Sequence, residues 1–327
     1  MSYSVDVLNN IRLNASEEYQ NRIPVATQAN IVTIGQAFQT YSLLYNEFCE
    51  ALINKIGKTL ITQKMYKNKL SRFKNGLVSP HDIEEIFIEM AKAEGSYDKD
   101  GTNPLGRRDA LDVKVIYHRQ NRQDCYAISI GDIDFMRVFR SEATLDTFIK
   151  SQINAVYSAD EYDEYLATKN VLATYKTYFD YEVTSGTGES FAKSFVKTLR
   201  KAVLDMGEPS KEYNSASVLT WNDPSELVLF VHKDVVVECD VEMLAKAFHQ
   251  SNTDMKVVPT IVVMDNFGSL TDTYGLLVDK DFFRIYDTLV HMEPQRNAQG
   301  LFTNYFYHHH QILSASTFKN AVRLKKV

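Results

Sequence analysis

The chain has 327 residues, of which 44% are hydrophobic and 24% charged, enough for two or three compact units and too apolar for wholesale disorder. A formal net charge of −6 with a pI near 5.8 excludes a protein whose main work is gripping a phosphate backbone, because that takes a concentrated basic surface. Cys49, Cys125 and Cys239 stand far apart with no CxxC, and neither a signal peptide nor a bilayer-length apolar run is visible, so a soluble chain with reduced thiols is expected.

In chain order, residues 1–35 are polar and weakly periodic and predict an extended arm. Phe38, Tyr41, Leu44, Tyr45, Phe48 and Leu52 keep helical spacing up to Gly57, and Thr59 to Tyr66 reads as a strand. Between Ile53 and His81 there is no acidic residue, but there are Lys55, Lys58, Lys64, Lys67, Lys69, Arg72 and Lys74. Acids return as Asp82, Glu84, Glu85, Glu89 and Glu94, predicted to lie on a short helix with Ile83, Ile86, Phe87 and Met90. A turn-rich tip at Gly95 to Gly106 and a strand at Val113, Val115 and Tyr117 complete a two-stranded excursion. Such an arm cannot bury enough area to stand alone, and its segregated charge suits a neighbouring subunit. A solvated hairpin is the bland alternative.

Ser141 caps the longest helix, which runs through Leu145, Phe148, Ile149, Ile153, Val156 and Tyr157. It resumes with Tyr165, Leu166, Leu172 and Tyr175 after a charged break at Asp160 to Glu164. Tyr178 to Thr184 reads as a strand, followed by a helix with Phe191, Phe195, Leu199 and Val203 on one face, ended by Gly207 and Pro209. A strand at Leu227 to His232, a helix capped by Asp240 and a strand at Val257 to Met264 make a compact α+β unit. Strand formers dominate Phe282 to Tyr286 and Leu301 to Leu313.

Three constellations invite a chemical reading. Ser185 to Ser190, with Gly186 and Gly188, joins a strand to a helix where a phosphate could sit on free amides, but it lacks the P-loop pattern and Glu189 would repel an anion. Of His308, His309 and His310, the strand period lets His308 and His310 share a ligand, yet no third partner lies at ligand spacing, and an aromatic-rich interface strand is the stronger reading. Asp160, Glu161, Asp163 and Glu164 are expected to fan over a solvated or interface-facing helix surface rather than converge. No GxSxG occurs.

The C-terminal third runs Leu277-Val278-Asp279-Lys280-Asp281, Tyr286-Asp287, Met292-Glu293, Arg296-Asn297, Gly300-Leu301, then Asn304-Tyr305-Phe306-Tyr307-His308, Gln311, Leu313-Ser314, Phe318 and Asn320-Ala321-Val322. This succession resembles the major capsid protein of the phi-29-like podoviruses, small short-tailed phages. Collinear echoes occur upstream, at Pro24 with Ala26-Thr27, Ile56-Gly57, Phe73-Lys74 with Gly76, Ile83-Glu84-Glu85-Ile86, Ile153-Asn154-Ala155 with Tyr157, and Leu244 to Phe248 with Thr253-Asp254.

The resemblance implies an α+β, HK-97-type (Johnson) capsid fold. Its parts would be an N-terminal arm and helix at 1–56, an extended loop at 57–128, a peripheral domain with spine helix at 129–180, an axial domain at 181–275 and a return to the peripheral domain at 276–327. It also implies a virion protein assembled in the host cytoplasm as hexamers and pentamers around double-stranded DNA. A scaffolding protein and a portal would be partners; no enzyme activity, cofactor, metal or membrane is implied. The sequence reaches Val327 without the immunoglobulin-like domain of the best-known relative, so no role of that domain is carried over. Lys58, Lys64, Lys67, Lys69, Arg72, Lys74, Glu84, Glu85 and Glu89 are the candidate inter-subunit contacts. The competing readings are a phosphate-handling hydrolase built on the Gly186/Gly188 turn and another phage structural part.

Overall fold

The computed structural model describes residues 3–40, 44, 47, 48, 51, 68–91, 111–131, 142–175, 177–186, 188–238 and 260–327. The predicted strand at 59–66, the tip at 95–106 and the helix at 241–248 lie outside them.

The N-terminal segment is helical, which corrects the expectation of an extended arm. Helices α1 (Tyr3–Asn14), α2 (Glu17–Arg22) and α3 (Ile31–Thr40) fold back on one another. Val7, Leu8 and Ile11, then Tyr19, then Ile31, Ile34 and Phe38 land on one side, while Leu13 and Val32 stay exposed. Polar side chains close the turns between them. Ser16 caps α2 by accepting from the Tyr19 amide, Arg12 donates to the Ile23 and Gln20 carbonyls at 2.7 Å, and Asn9 makes a two-way pair with Ala26.

Two sheets follow. The first has the order β1-β9-β10-β4, from β1 (Lys74–Leu77), β4 (Arg122–Gly131), β9 (Phe283–Asn297) and β10 (Phe302–Ala315). β9 and β10 form a long hairpin, β4 runs antiparallel to β10, and β1 runs parallel to the start of β9. Pro294 is tolerated in β9 because β1 pairs with it only from Ile285 to Asp287, leaving Pro294 with no ladder bond to supply on that edge.

The second sheet has the order β5-β11-β8-β6-β7, from β5 (Phe179–Val183), β6 (Leu227–His232), β7 (Thr260–Met264), β8 (Thr273–Asp279) and β11 (Ala321–Lys326). β6 is an unbroken apolar run because both faces are covered. Leu227, Leu229 and Val231 pack with α5 (Gly188–Gly207) and α6 (Lys233–Glu238), while Val228 and Phe230 face the opposite core. The C-terminal strands thus divide between the sheets, with β11 in the second instead of beside β9 and β10.

Helix α4 (Glu142–Thr174) is continuous through the expected break at 160–164 and, at 33 residues, is about 50 Å long. Val156 and Tyr157 belong to the core beneath the first sheet, and Tyr165 and Leu172 to the core beneath the second, so one helix braces both. No described helix is long and apolar enough to cross a membrane.

The acidic segment expected as a short helix is strand β2 (Ile83–Ile88), paired antiparallel with β3 (Val113–His118) in a two-stranded ribbon. Its exposure alternates residue by residue, the period of a strand, and its three isoleucines favour that state.

Candidate functional site

The helical period of α4 places Asp160, Glu164 and Thr168 on one face with Glu161 beside them, and that face is pressed onto the first sheet. All four are at most 3% exposed, so the expectation of a solvated charge run is overturned. β10 answers with alternate residues. Tyr305, Tyr307, His309 and Gln311 point toward α4, while Phe306, His308 and His310 point away.

β9 contributes through a bulge. Register slips between His310 and Gln311, so Val290 and Met292 face the core on one side of the slip and Ile285 and Asp287 face it on the other. The extra residue, Thr288, reverses the parity of the strand and aims Asp287 inward.

The result is a buried polar network. His309 brings Nδ1 to within 2.7 Å of Asp160 Oδ1 and Nε2 to within 3.0 Å of Asp287 Oδ1. With a carboxylate on each ring nitrogen, both nitrogens must donate, so the ring is an imidazolium. Arg122 donates from Nη2 to Asp160 at 2.8 Å and from Nη1 to Gln311, and Tyr307 donates to Asp160 Oδ2 at 3.3 Å. Gln311 Nε2 donates at 2.7 Å to both Glu164 and Asp287, and Lys74 Nζ reaches the same two groups at 2.7 and 3.0 Å. Tyr126 donates to Asp163 at 2.8 Å, and Asn68 donates to Glu161 and Glu164 at 3.1 Å.

Burial pushes the carboxyl groups of Asp160 and Asp287 up, but hydrogen bonds and charge outweigh it and hold both below the usual range: His309 and Arg122 at Asp160, His309, Lys74 and Gln311 at Asp287. Burial also opposes the charged form of His309, yet its two carboxylates raise its pKa above the ordinary value.

Glu164, Asp287 and His309 bring possible ligand atoms within 4.8 Å of one another. The Lys74 ammonium already lies against both carboxylates there, and His309 has no lone pair left to give a cation. The network therefore acts as a cross-brace between helix and sheet. Sequence reasoning missed it because the linear pattern places His309 on the wrong side of the histidine pair and cannot show the bulge at Thr288.

Of the candidate contacts, Lys58, Lys64 and Lys67 lie outside the described residues. Lys69 and Arg72 are exposed, Arg72 lying 5.1 Å over the Phe73 ring. Glu84 is exposed and accepts from Tyr117 at 3.3 Å. Three others have partners within the chain: Lys74 in the buried network, Glu85 with His118, Arg284 and Ser316, and Glu89 with Lys211 at 2.9 Å. The glycine turn is a helix opening. Gly188 adopts φ +71°, its amide donates to Glu238 at 2.8 Å, and Glu189 pairs with Lys193, leaving a poor seat for phosphate.

The ribbon has two unlike faces. Ile83, Glu85 and Phe87 turn inward, with Phe87 against Phe318 and Glu85 tied to Arg284. On the other face the register sets Ile86 beside Val115, Ile88 beside Val113 and Glu84 beside Tyr117, and all five apolar members are at least 41% exposed.

A family profile described as Phi29-like phage major capsid protein matches residues 8–325. The major capsid protein of Bacillus phage PZA is 36% identical, covering 98% of this chain and 72% of its own length, and that of Bacillus phage B103 is 35% identical with the same coverage. That of Streptococcus phage Cp-1 is 28% identical over 97% of this chain and 93% of its own. Among solved structures, the capsid of Staphylococcus phage Andhra matches with a TM-score of 0.64 at 10% identity, over 82% of this chain and 86% of that one. The mature capsid of bacteriophage PhiM1 matches at 0.51 and 9% identity, over 81% and 89%. These neighbours share the HK97-like capsid fold, and the helix-and-sheet architecture described above is that fold. The chain therefore belongs to the Phi29-like phage major capsid proteins, the subunits from which the phage shell is built.

Proposed function

We propose that the chain closes the shell through hexamers and pentamers in which each β2–β3 ribbon lies on a neighbouring copy, assembling in the host cytoplasm with a scaffolding protein and a portal around double-stranded DNA. The observation that carries this reading is the apolar ribbon face of Ile86, Ile88, Val113, Val115 and Tyr117, exposed in the single subunit and anchored on its other side. Burying it against a second copy gains about 25 cal/mol for each Å² of apolar surface removed from water. Lys69, Arg72 and Glu84, with Lys58, Lys64 and Lys67, are the charges left to set register at that contact. The chain works by association, not by catalysis.

The test is a double Ile86→Lys, Val115→Lys variant co-expressed with the candidate scaffolding protein and viewed by negative-stain electron microscopy. Both side chains are exposed, so the subunit keeps its circular dichroism spectrum while closed shells disappear. Shells of normal size and yield from this variant would overturn the reading.

A further inference from the structure

In the second sheet β6 runs parallel to β7, His232 pairs with Met264 at their ends, and the chain leaves the two strands on opposite sides of the sheet. After β6 it enters α6, whose Val235 packs into the core with α5. After β7 it turns toward α4, with Phe267 entering the core beside Leu172 and the Ser269 hydroxyl donating to the Ala173 carbonyl at 3.1 Å. Adjacent parallel strands whose connections part in this way leave a crevice outside their carboxyl ends. Here the crevice is a cavity of about 270 Å³, bounded further by the start of β8 and the end of β11.

Donors from three strands line it. The Thr273 hydroxyl of β8 stands out, because the residue is 5% exposed and its Oγ1 has no hydrogen-bond partner among the described residues. A buried hydroxyl with no acceptor is destabilising, and an acceptor brought from outside removes that penalty. A single water, whose share of liquid volume is about 30 Å³, would leave most of the space empty. Lys326 of β11 has no carboxylate partner among the described residues. His232 of β6 accepts from the Asp234 amide on Nδ1 at 3.2 Å, so its ring proton is on Nε2, which donates. Asp234 is the one carboxylate on the lining among the described residues, and at 74% exposed it is screened by solvent.

We infer that this crevice binds a phosphate group, as the free ion or on a small ester. A tetrahedral oxyanion offers oxygens to donors arriving from three strands, where a planar carboxylate offers only two. Its charge makes each of those bonds a charge-assisted one. The site is separate from the Gly186/Gly188 turn, where the Gly188 amide is already taken by Glu238. A linear reading cannot find it, because His232, Thr273 and Lys326 lie on strands that only the sheet order brings together.

The test is calorimetric titration of inorganic phosphate into the untagged full-length chain, at an ionic strength held with chloride, with adenosine 5′-monophosphate as a second arm. Phosphate should bind saturably at one site per chain. Thr273→Val removes the hydroxyl and keeps the shape, so it should weaken binding roughly ten- to hundredfold. Its unfolding midpoint should be unchanged or higher, since the unpaired hydroxyl is gone. Lys326→Gln, at an exposed position, should weaken binding too, with unchanged circular dichroism. Binding of both ligands assigns the site to phosphate esters and binding of phosphate alone assigns it to the free ion, and either upholds the proposal. Heat that does not saturate, or that either variant leaves unchanged, overturns it and makes the crevice a water-filled one.

Discussion

Asp160 and His309 meet across the junction of α4 and β10, carboxylate to imidazole at 2.7 Å, with both side chains no more than 5% exposed. Neither is excess charge in the core. Each has a second partner of opposite sign, Arg122 for Asp160 and Asp287 for His309, so the charges form a chain from β4 through the helix to β9. A chain of this kind fixes the rotational setting of the helix, because α4 turned by one residue would leave several charges buried and unpaired.

Asp160→Ala should therefore cost about 3–5 kcal/mol, the range for breaking a buried pair from one side, since it removes the carboxylate that Arg122 and His309 share and leaves two buried cations facing each other. Urea unfolding of the unassembled subunit measures it as a fall in midpoint at constant slope. A loss below about 1 kcal/mol would place Asp160 in the class of exposed pairs and remove the cross-brace.

The same network sets a pH window. His309 holds its second proton more tightly folded than unfolded, so its contribution is complete below its ordinary value of 6.5 and is lost as pH rises through the raised folded value. Asp160 and Asp287 run the other way. Their contribution is present above the ordinary 3.8 and lost as pH falls through their depressed folded values. Lys74, Glu161 and Glu164 face the same cluster. Stability should thus peak in mildly acidic solution. In His309→Gln the alkaline limb should flatten, which chemical denaturation between pH 5 and 9, a range of about two units either side of neutrality, would read.

Phe230 tests the second core. It is fully buried in the middle of β6, with ring centroids 5.5 Å from Phe73 and 5.9 Å from Phe283. Truncation to alanine should cost about 3–5 kcal/mol, because β8 and β7 flank β6 and hold its backbone in place against collapse. Thermal unfolding should show a lower midpoint with the near-ultraviolet spectrum retained. A cost under about 1 kcal/mol would mean that the site repacks freely.

Much of this architecture is legible in the residues themselves. α5 shows its buried face plainly at Phe191, Phe195, Leu199 and Val203, and β6 shows as an apolar run. The elements that were misread share a cause. In α1 and α2 polar residues interrupt the apolar spacing, and local polar bonds such as Arg12 to Ile23 hold the turns between the helices. In 83–88, IEEIFI fits a strand and a helix turn alike, and only the pairing of Ile86 with Val115 decides. The buried network was hidden more deeply. Asp160 and Glu164 look solvated until the sheet arrives, and the sheet offers them partners only because Thr288 shifts the parity of β9.

Arg284 offers the last test, on how the ribbon is held. Glu85 on β2 accepts from Arg284 Nη2 at 2.6 Å, lies 2.9 Å from His118 Nε2 and accepts from Ser316 at 2.9 Å. Burial raises its carboxyl group, but His118 and Arg284 prevail and bring it down to about 2. One charge on the ribbon is thereby tied to β9 and to the 316 turn, with the Phe87–Phe318 contact beside it. Arg284→Ala removes a charge-assisted bond worth about 1.5–3 kcal/mol. The ribbon should then open more often without loss of the global fold, and amide exchange in 83–88 and 113–118 should quicken roughly ten- to hundredfold while β6 and β8 stay protected. Uniform acceleration everywhere would mean that Arg284 supports the whole subunit. No change in the ribbon amides would mean that other contacts, such as Phe87 with Phe318 and Glu89 with Lys211, hold it, and that the ion pair contributes nothing to the surface the subunit presents to its neighbours.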